Sequence, residues 1–414
     1  MGLIADKLNI SNLSAPENWL KGFFGSGMLS SSGKKISATE SVNKIATVYA
    51  CIDIISTSIA TLPFQIYKKT LSRREKMNKH AVAKLLYTGK PNEYQTPFEF
   101  KQMLEAHRTL YGNGYAEIVW GKDGYPKELW PLHPTQTFVG KDKNNKYWVI
   151  TQVPDGSKRK IPYEDVLHIK GLVMSGLEGI SPIAAIREQL GIESSSLEYT
   201  GKFFANGTVN KGILTTPGTE TLSKESKDLI RGEWEKYANG LDNAHRIAIL
   251  DSGLSYQQIG INQIDAQFIE TQKFTTEEVA KVFRVPLHML GQLDRATFSN
   301  IEQQSLDFLK STLISKIVSW EENIKTKLFT EKEQEKGFYI KVNVNAAMRG
   351  DSITRASYYR EMQKLGNMNI NEARELEDMD PIVGGDEYRV DLNSISLTIA
   401  DKYQLSKSDS KGGD

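Results

Sequence analysis

Pro286-Leu-His-Met-Leu-Gly-Gln-Leu-Asp-Arg-Ala-Thr-Phe-Ser-Asn300 is the stretch on which the reading of this chain turns. It opens on Pro286 and lies between two helical patterns, so it reads as a loop. Behind it Leu306, Leu309, Leu313, Ile317, Trp320, Ile324 and Leu328 recur at spacings of three and four. That period keeps one helix face buried for about thirty residues, or roughly 45 Å. Ahead of it a second helical pattern runs from Gln263 to Arg284 and stops before Pro286, because a proline pushes its preceding residue out of the α region. The loop 286–299 is therefore held between two long helices.

Outward from there, composition narrows the classes. A chain of 414 residues is long enough for two or more ordinary domains and a sizeable core. No apolar run reaches the ~18 residues of a membrane span, and residues 1–10 lack the basic-then-apolar pattern of a secretory signal. Cys51 is the only cysteine and stands in an apolar helical stretch, so it reads as a small buried hydrophobe. The net charge is +1, with residues 350–414 carrying 8 basic and 13 acidic side chains and the remainder +6. A chain built to grip DNA would neutralise many phosphates; this one is not built to grip, and its acidic C-terminal region would repel DNA, which suits a conduit and equally suits many proteins that never meet DNA.

The first part reads as α+β. Thr47–Leu62 is helical, and Phe64–Tyr67 a short strand. Phe98–Tyr111 is a helix closed by Gly112, followed by strands at Tyr115–Trp120 and Glu128–Leu132 around the Asp123-Gly124 turn. Further strands fall at Tyr147–Gln152 and Asp165–Ile169. Ser181-Pro182 opens a helix with Ser as N-cap and Pro at its first position. Its stripe is Ile183, Ile186, Leu190, Ser194, Leu197, Gly201 and Phe204, and its small residues allow close approach of another helix. A small α/β insertion (strands near 212–216, 246–250 and 254–261, helix 222–238) separates that helix from the one ending at Arg284. Beyond the long helix come a strand at Phe338–Val344, a helix at Asp351–Leu365 stopped by Gly366, and a helix at Asn369–Leu376 with Asn369 and Glu372 as a capping box.

No catalytic constellation emerges. Gly27-Met-Leu-Ser-Ser-Ser-Gly33-Lys34-Lys35 has one residue too many for a phosphate loop and no preceding strand. The six histidines are scattered without metal-ligand spacing, and no Gly-x-Ser-x-Gly elbow occurs. Asp378 and Asp380, before Pro381, read as a solvated turn, as does Gly384-Gly-Asp386. No cofactor, metal or catalytic residue is expected.

The motif Leu290-Gly-Gln-Leu-Asp-Arg-Ala-Thr-Phe-Ser-Asn-Ile-Glu-Gln-Gln304 resembles the same stretch in portal proteins of tailed double-stranded-DNA bacteriophages, in the branch typified by the Hong Kong coliphages. Supporting pieces follow in the same order: Thr47-Val-Tyr-Ala-Cys-Ile52, Leu62-Pro-Phe64, Lys90-Pro-Asn92, Leu110-Tyr-Gly-Asn-Gly-Tyr115, Asp165-Val-Leu-His-Ile169 and Gly179-Ile-Ser-Pro182. Phe203-Phe-Ala-Asn-Gly207, Gly212-Ile-Leu-Thr-Thr-Pro-Gly218, Asn371-Glu-Ala-Arg374 and Gly384-Gly-Asp386 complete the series. The resemblance implies an α+β portal fold assembling into a dodecameric ring with a central channel. Its parts would be a flexible arm (1–40), a wing (41–180, with the long helix and strand of 300–349), stem helices (181–206 and 263–285), a clip (207–262), a tunnel loop (286–299), a crown (350–398) and a disordered tail (399–414). Leu293, Arg295, Thr297 and Phe298 become candidates for lining the channel, with anchoring of the loop an equal reading for Leu293 and Phe298. Trp234 and Tyr237 become candidates for partner contact in the clip, with core packing an alternative for Trp234.

The same resemblance implies a non-enzymatic virion protein at the capsid portal vertex, found in the host cytoplasm during assembly. DNA would pass through it during packaging and ejection. Its expected partners are the terminase large subunit, a head-completion or adaptor protein, and the major capsid protein with its scaffold; no membrane is involved. A capsid or head-scaffold component is the alternative, separable because shells form sheets or icosahedra. A DNA-processing enzyme of the packaging machinery is the second, separable by an ATPase assay.

Overall fold

The structure is a computed structural model that describes residues 10–11, 30, 36–70, 74–153, 155–205, 212–215, 223–238, 255–258, 264–292, 306–344, 352–377 and 379–389. The chain divides into two compact units, 1–343 and 344–414.

The core of the first unit is built on helices whose ends the sequence marks. α1 (Ala38–Lys44) starts where the Ser37 hydroxyl accepts the Glu40 N–H, and α2 (Ala46–Ala60) buries Val48, Cys51, Ile52, Ile55 and Ile59. Burial pushes the Cys51 thiol up to about 12, which makes it a packing group, not a nucleophile. α3 (Ala81–Ala83) runs into a π-turn, Lys84–Thr88. α4 (Pro97–Tyr111) has Pro97 at its start and a reciprocal Thr96–Glu99 capping box, and Gly112 closes it at φ +80°. A left-handed residue at that place favours glycine because any other side chain would crowd its own carbonyl. α4 packs against α2.

β1 (Ile10–Ser11), β6 (Thr137–Asp142), β7 (Tyr147–Gln152) and β8 (Lys158–Pro162) form one antiparallel sheet in the order β1-β6-β7-β8. β1 falls in the segment read as an arm. β2 (Phe64–Lys69) lies between β3 (Arg74–Lys76) and β12 (Phe338–Val342), and β4 (Asn113–Trp120) lies between β5 (Pro126–Leu132) and β9 (Val166–Lys170). β10 (Gly212–Thr215) pairs with β11 (Ser255–Gln258), and α7 (Lys224–Ala238) falls between them in sequence. Pairing β12 with β2 joins positions about 270 residues apart, with Val342 opposite Phe64.

The long helix keeps its apolar stripe only in part. α9 (Ile314–Leu328) buries Ile317, Trp320, Ile324 and Leu328 as the spacing predicts. A π-turn, Leu309–Leu313, precedes it; in and just before that turn Phe308, Thr312 and Leu313 are buried while Leu306 and Leu309 are half-exposed. One extra residue per π-turn rotates the face by about a third of a turn, so a stripe read at constant period slips out of phase there. Trp320 meets Phe64 edge-on at 5.5 Å between ring centroids.

Under that tryptophan lies a buried ionic cluster joining α4 to α9. The Glu105 carboxylate is inaccessible to solvent. It accepts from Trp320 Nε1 at 2.7 Å, Lys316 Nζ at 3.0 Å, Arg108 at 3.1 Å and Thr109 Oγ1 at 3.2 Å. Burial alone would raise its pKa, but the Lys316 and Arg108 charges and the Trp320 and Lys316 hydrogen bonds hold it below the ordinary carboxylate value. Four donors on one carboxylate are what a buried anion needs.

Lys101, on the same helix, is buried without a carboxylate. Its ammonium donates to the Leu62 carbonyl at 2.8 Å and stands 4.6 Å from the Phe64 ring centre. Burial lowers its pKa from 10.5 to about 8. Between those values the unfolded chain holds a proton that the folded chain has released, so this group adds stability as pH rises through the window. Lys101→Met should therefore flatten the difference in urea-unfolding free energy between pH 8 and 10.5 relative to wild type, by roughly 2–3 kcal/mol across the window. Parallel curves for the two proteins would contradict this.

In the second unit, α11 (Ser352–Lys364) and α12 (Ile370–Leu376) flank Gly366, which has φ +67°. The Asn369–Glu372 capping box forms as expected, with Glu372 N to Asn369 Oδ1 at 2.8 Å and Asn369 N to Glu372 Oε2 at 2.9 Å. Asn371 holds the Gly384-Gly-Asp386 turn: Nδ2 donates to the Ile382 carbonyl and to Asp386, and Oδ1 accepts the Ile382 N–H. The turn expected there is present, and a Cβ on Gly385 would fall 2.3 Å from Asn371 Oδ1, so its middle residue is closely fitted.

Candidate functional site

The near end of the loop that decided the sequence reading is held by tight turns. α8 (Ile264–Phe283) ends with the Val285 N–H on the Ala280 carbonyl, and Arg284 sits at φ +55°. A non-glycine residue there is uncommon and marks a sharp change of direction. Pro286 follows, then a 3-10 turn over Leu287–Leu290, with Gly291 left-handed at φ +80° and the Gln292 N–H on the Leu287 carbonyl. From the other side, Thr312 Oγ1 in the π-turn donates to the Arg284 carbonyl at 2.8 Å. That bond ties the helix before the loop to the helix after it. Phe283, Val285, Phe308 and Leu313 are buried there.

Leu293, Arg295, Thr297 and Phe298 lie outside the described residues. Trp234 and Tyr237 belong to α7, but their side chains lie outside the described ones. Among the described residues, no group of three or more His, Cys, Asp or Glu is placed to hold a metal. Two histidines that looked scattered do meet: the His107 and His133 rings are 5.4 Å apart at their centroids. Burial first, and His133 second, lowers His107 to about 4.

The second feature of the site is a junction that the sequence pattern did not disclose. Leu110-Tyr-Gly-Asn-Gly-Tyr115 and Gly179-Ile-Ser-Pro182, two separate motifs in the chain, interlock. Asn113 Oδ1 accepts the Gly179 N–H at 2.7 Å, and Asn113 Nδ2 donates to the Gly179 carbonyl at 2.8 Å. His168 Nε2 lies 3.0 Å from the same Oδ1, and its Nδ1 lies 3.2 Å from the Tyr163 hydroxyl. Burial drives the His168 pKa well below its usual value, so the ring is neutral. It donates through Nε2 and accepts through Nδ1, the tautomer these contacts require. The Tyr115 ring stacks on it at 4.2 Å.

Ser181 occupies the N-cap position of α5 (Pro182–Ala185), as expected, but its hydroxyl makes no cap bond. It donates to the Leu110 carbonyl at 2.6 Å instead, so the residue pins the helix start to the end of α4. The helix read as continuous breaks at Ile186, which leaves the α region (φ −111°, ψ 20°), and resumes as α6 (Arg187–Ala205). Along its stripe Ile183, Ile186 and Leu190 are buried, whereas Leu197 is exposed. A Cβ on Gly201 would meet nothing within 4 Å, so the farther part of that stripe has space beside it.

Residues 46–378 match the profile of the phage portal protein family. The chain is 32% identical over 354 residues to the portal protein of Enterobacteria phage HK97, covering 84% of this chain and 81% of that one. It is similar in fold to a protein in the neck of an empty gene transfer agent (GTA) particle, at 21% identity and TM-score 0.57, covering 83% and 94% of the two chains. It is also similar to an HK97-family phage portal protein from Corynebacterium diphtheriae, at 12% identity and TM-score 0.56, covering 76% and 97%.

Proposed function

This chain belongs to the phage portal protein family, and we propose that it assembles as a dodecameric ring at one capsid vertex. The family is a structural one whose role is the DNA-packaging channel; the finer assignments are our reading. The observation that carries the proposal is the match over 46–378, within which the two long helices meet at the Thr312–Arg284 clamp below the loop. The likeness to a neck protein of a particle treated with C6 and with C12 symmetry supports a ring. In this reading 41–180 with 300–349 form the wing, 181–206 and 263–285 the stem, 207–262 the clip and 350–398 the crown.

The open stripe of α6 around Leu197 and Gly201 then packs on a neighbouring stem. The loop 286–299 faces the channel, where Arg295 repeated around a ring makes a weak, salt-sensitive belt for phosphates. Leu293, Thr297 and Phe298 line or anchor it. Trp234 and Tyr237 serve docking of the terminase large subunit and later the head-completion or adaptor protein, and the capsid and scaffold meet the ring outside. Assembly takes place in the host cytoplasm.

Negative-stain images of the purified chain should contain rings with an axial hole. A stable monomer at high concentration with terminase present would overturn the proposal. Replacing Leu293–Ser299 by a Gly-Ser link should leave rings intact while packaged DNA falls at least tenfold, because the loop's anchors lie outside the replaced segment. Normal packaging in that variant would remove the loop from the channel role.

A further inference from the structure

The first unit carries a cleft of about 1380 Å³ built by four separate segments. Lys79, Lys84 and Lys90 come from the stretch around α3. Lys122 comes from the turn between β4 and β5, and Lys127 from the start of β5. Lys336 comes from the turn before β12, and Lys68 from β2. Six of these seven side chains are exposed and Lys68 is half-buried over the Phe338 ring. Only two acids line the same cleft, Asp123 and Glu333.

Glu333 is already engaged: it caps α10 (Glu331–Glu335) through Thr330, and it meets His80 Nε2 at 2.7 Å. Among the described residues only Lys127 of the seven lysines has an ion-pair partner, Glu128 at 3.4 Å. The cleft thus concentrates a formal +5 in a chain of net +1. A solvated face would mix signs along one element. Here four segments bring one sign to one concavity, and a cleft lined by one sign focuses the field.

We propose that this cleft is a second contact surface for double-stranded DNA, separate from the channel loop. Its charges are all lysines, compact point charges on flexible stems. They lack the planar fork with which arginine selects carboxylates in a fixed geometry. Point charges on a rim serve a backbone of regularly spaced phosphates, which needs neutralisation and no base readout. The cleft is also larger than the ~300–1,000 Å³ of a small-molecule pocket. The occupant rests on the portal reading, since that is what brings the chain to DNA.

The test is anisotropy of a labelled random-sequence duplex with purified protein, between about 50 and 200 mM salt. Lys79→Glu/Lys84→Glu/Lys90→Glu should weaken binding at least tenfold and make the salt slope shallower by about three. Lys122→Gln/Lys127→Gln/Lys336→Gln, on different elements and without charge reversal, should do the same more mildly. An unchanged slope in both variants overturns the proposal. So does wild-type binding to polyglutamate but not to DNA at the same salt, which would make the cleft a dock for an acidic protein segment. Ring counts on the same preparations report on the portal reading separately: missing rings count against the ring, not against the cleft.

Discussion

Glu105→Ala is expected to cost about 3–5 kcal/mol in urea denaturation, because it strands two buried cations. Arg108 and Lys316, whose side chains are only 8% and 18% exposed, would keep their charges without a counter-ion, and the Trp320 indole N–H would lose its acceptor at 2.7 Å. Arg108 Nε is already without a partner, and the one other contact of this guanidinium is a long bond to the Lys316 carbonyl at 3.4 Å. The variant Glu105→Gln/Arg108→Met/Lys316→Met removes all three charges and keeps an acceptor for Trp320. It should recover more than half of the loss, since an apolar replacement of a buried ionic cluster is often neutral or better. The pH dependence has a definite sign. The Glu105 carboxyl titrates below its unfolded value, so its contribution is present above the ordinary carboxylate range and disappears as pH falls through the folded value. The uncharged triple variant should lack that acid-side loss. A cost for Glu105→Ala under ~1 kcal/mol, the range of an exposed pair, would contradict this account.

That cluster also shows where sequence reading stops. Glu105 and Lys316 are 211 residues apart, and each looks like a polar residue of an amphipathic helix; nothing local says that two polar faces meet. Elements with a strong period and end signals were legible: α4 up to Gly112, β7, α11 up to Gly366, and the Asn369 cap. β6 and β8 were not. Thr-Phe-Val-Gly-Lys-Asp142 carries a strand-weakening glycine, and Lys-Arg-Lys-Ile-Pro162 buries only Ile161 among its five residues, so neither reads as an apolar strand. The long helix was legible in kind but not in phase, because a π-turn leaves no sign in a stripe of leucines. Of the site, the loop's position followed from Pro286 and the helical patterns on either side of it. Its clamp did not, since Thr312 is a small polar residue whose hydroxyl finds a carbonyl only in the fold. The family pieces 110–115 and 179–182 were visible as separate motifs. Their glycine density was the available signal that backbones pass close together.

Gly179→Ala tests that junction at its tightest point. A Cβ there would stand 2.1 Å from the Gly112 carbonyl oxygen and 2.9 Å from the Gly171 nitrogen. Both are backbone atoms that cannot swing aside as a flexible side chain can, so the segment itself must move. The expected cost is about 3 kcal/mol or more, overpacking combined with lost hydrogen bonds. Asn113→Ala should cost a similar amount by a different route. It leaves the Gly179 N–H, the Gly179 carbonyl and His168 Nε2 without the partner each has now, and each buried orphan costs about 1–3 kcal/mol. Because both changes open the same contact, the double variant should lose clearly less than the sum of the two. The junction also sets where α5 begins, through Ser181 Oγ on the Leu110 carbonyl. A shift of Gly179 is therefore carried into the helix that, in the proposed ring, packs on its neighbour. Either variant, kept at a temperature where it stays folded, should yield at least tenfold fewer rings than wild type in negative stain. Additive stability losses would show that Asn113 and Gly179 act independently. Wild-type ring yields from both folded variants would mean that the junction stabilises the body without orienting the stem.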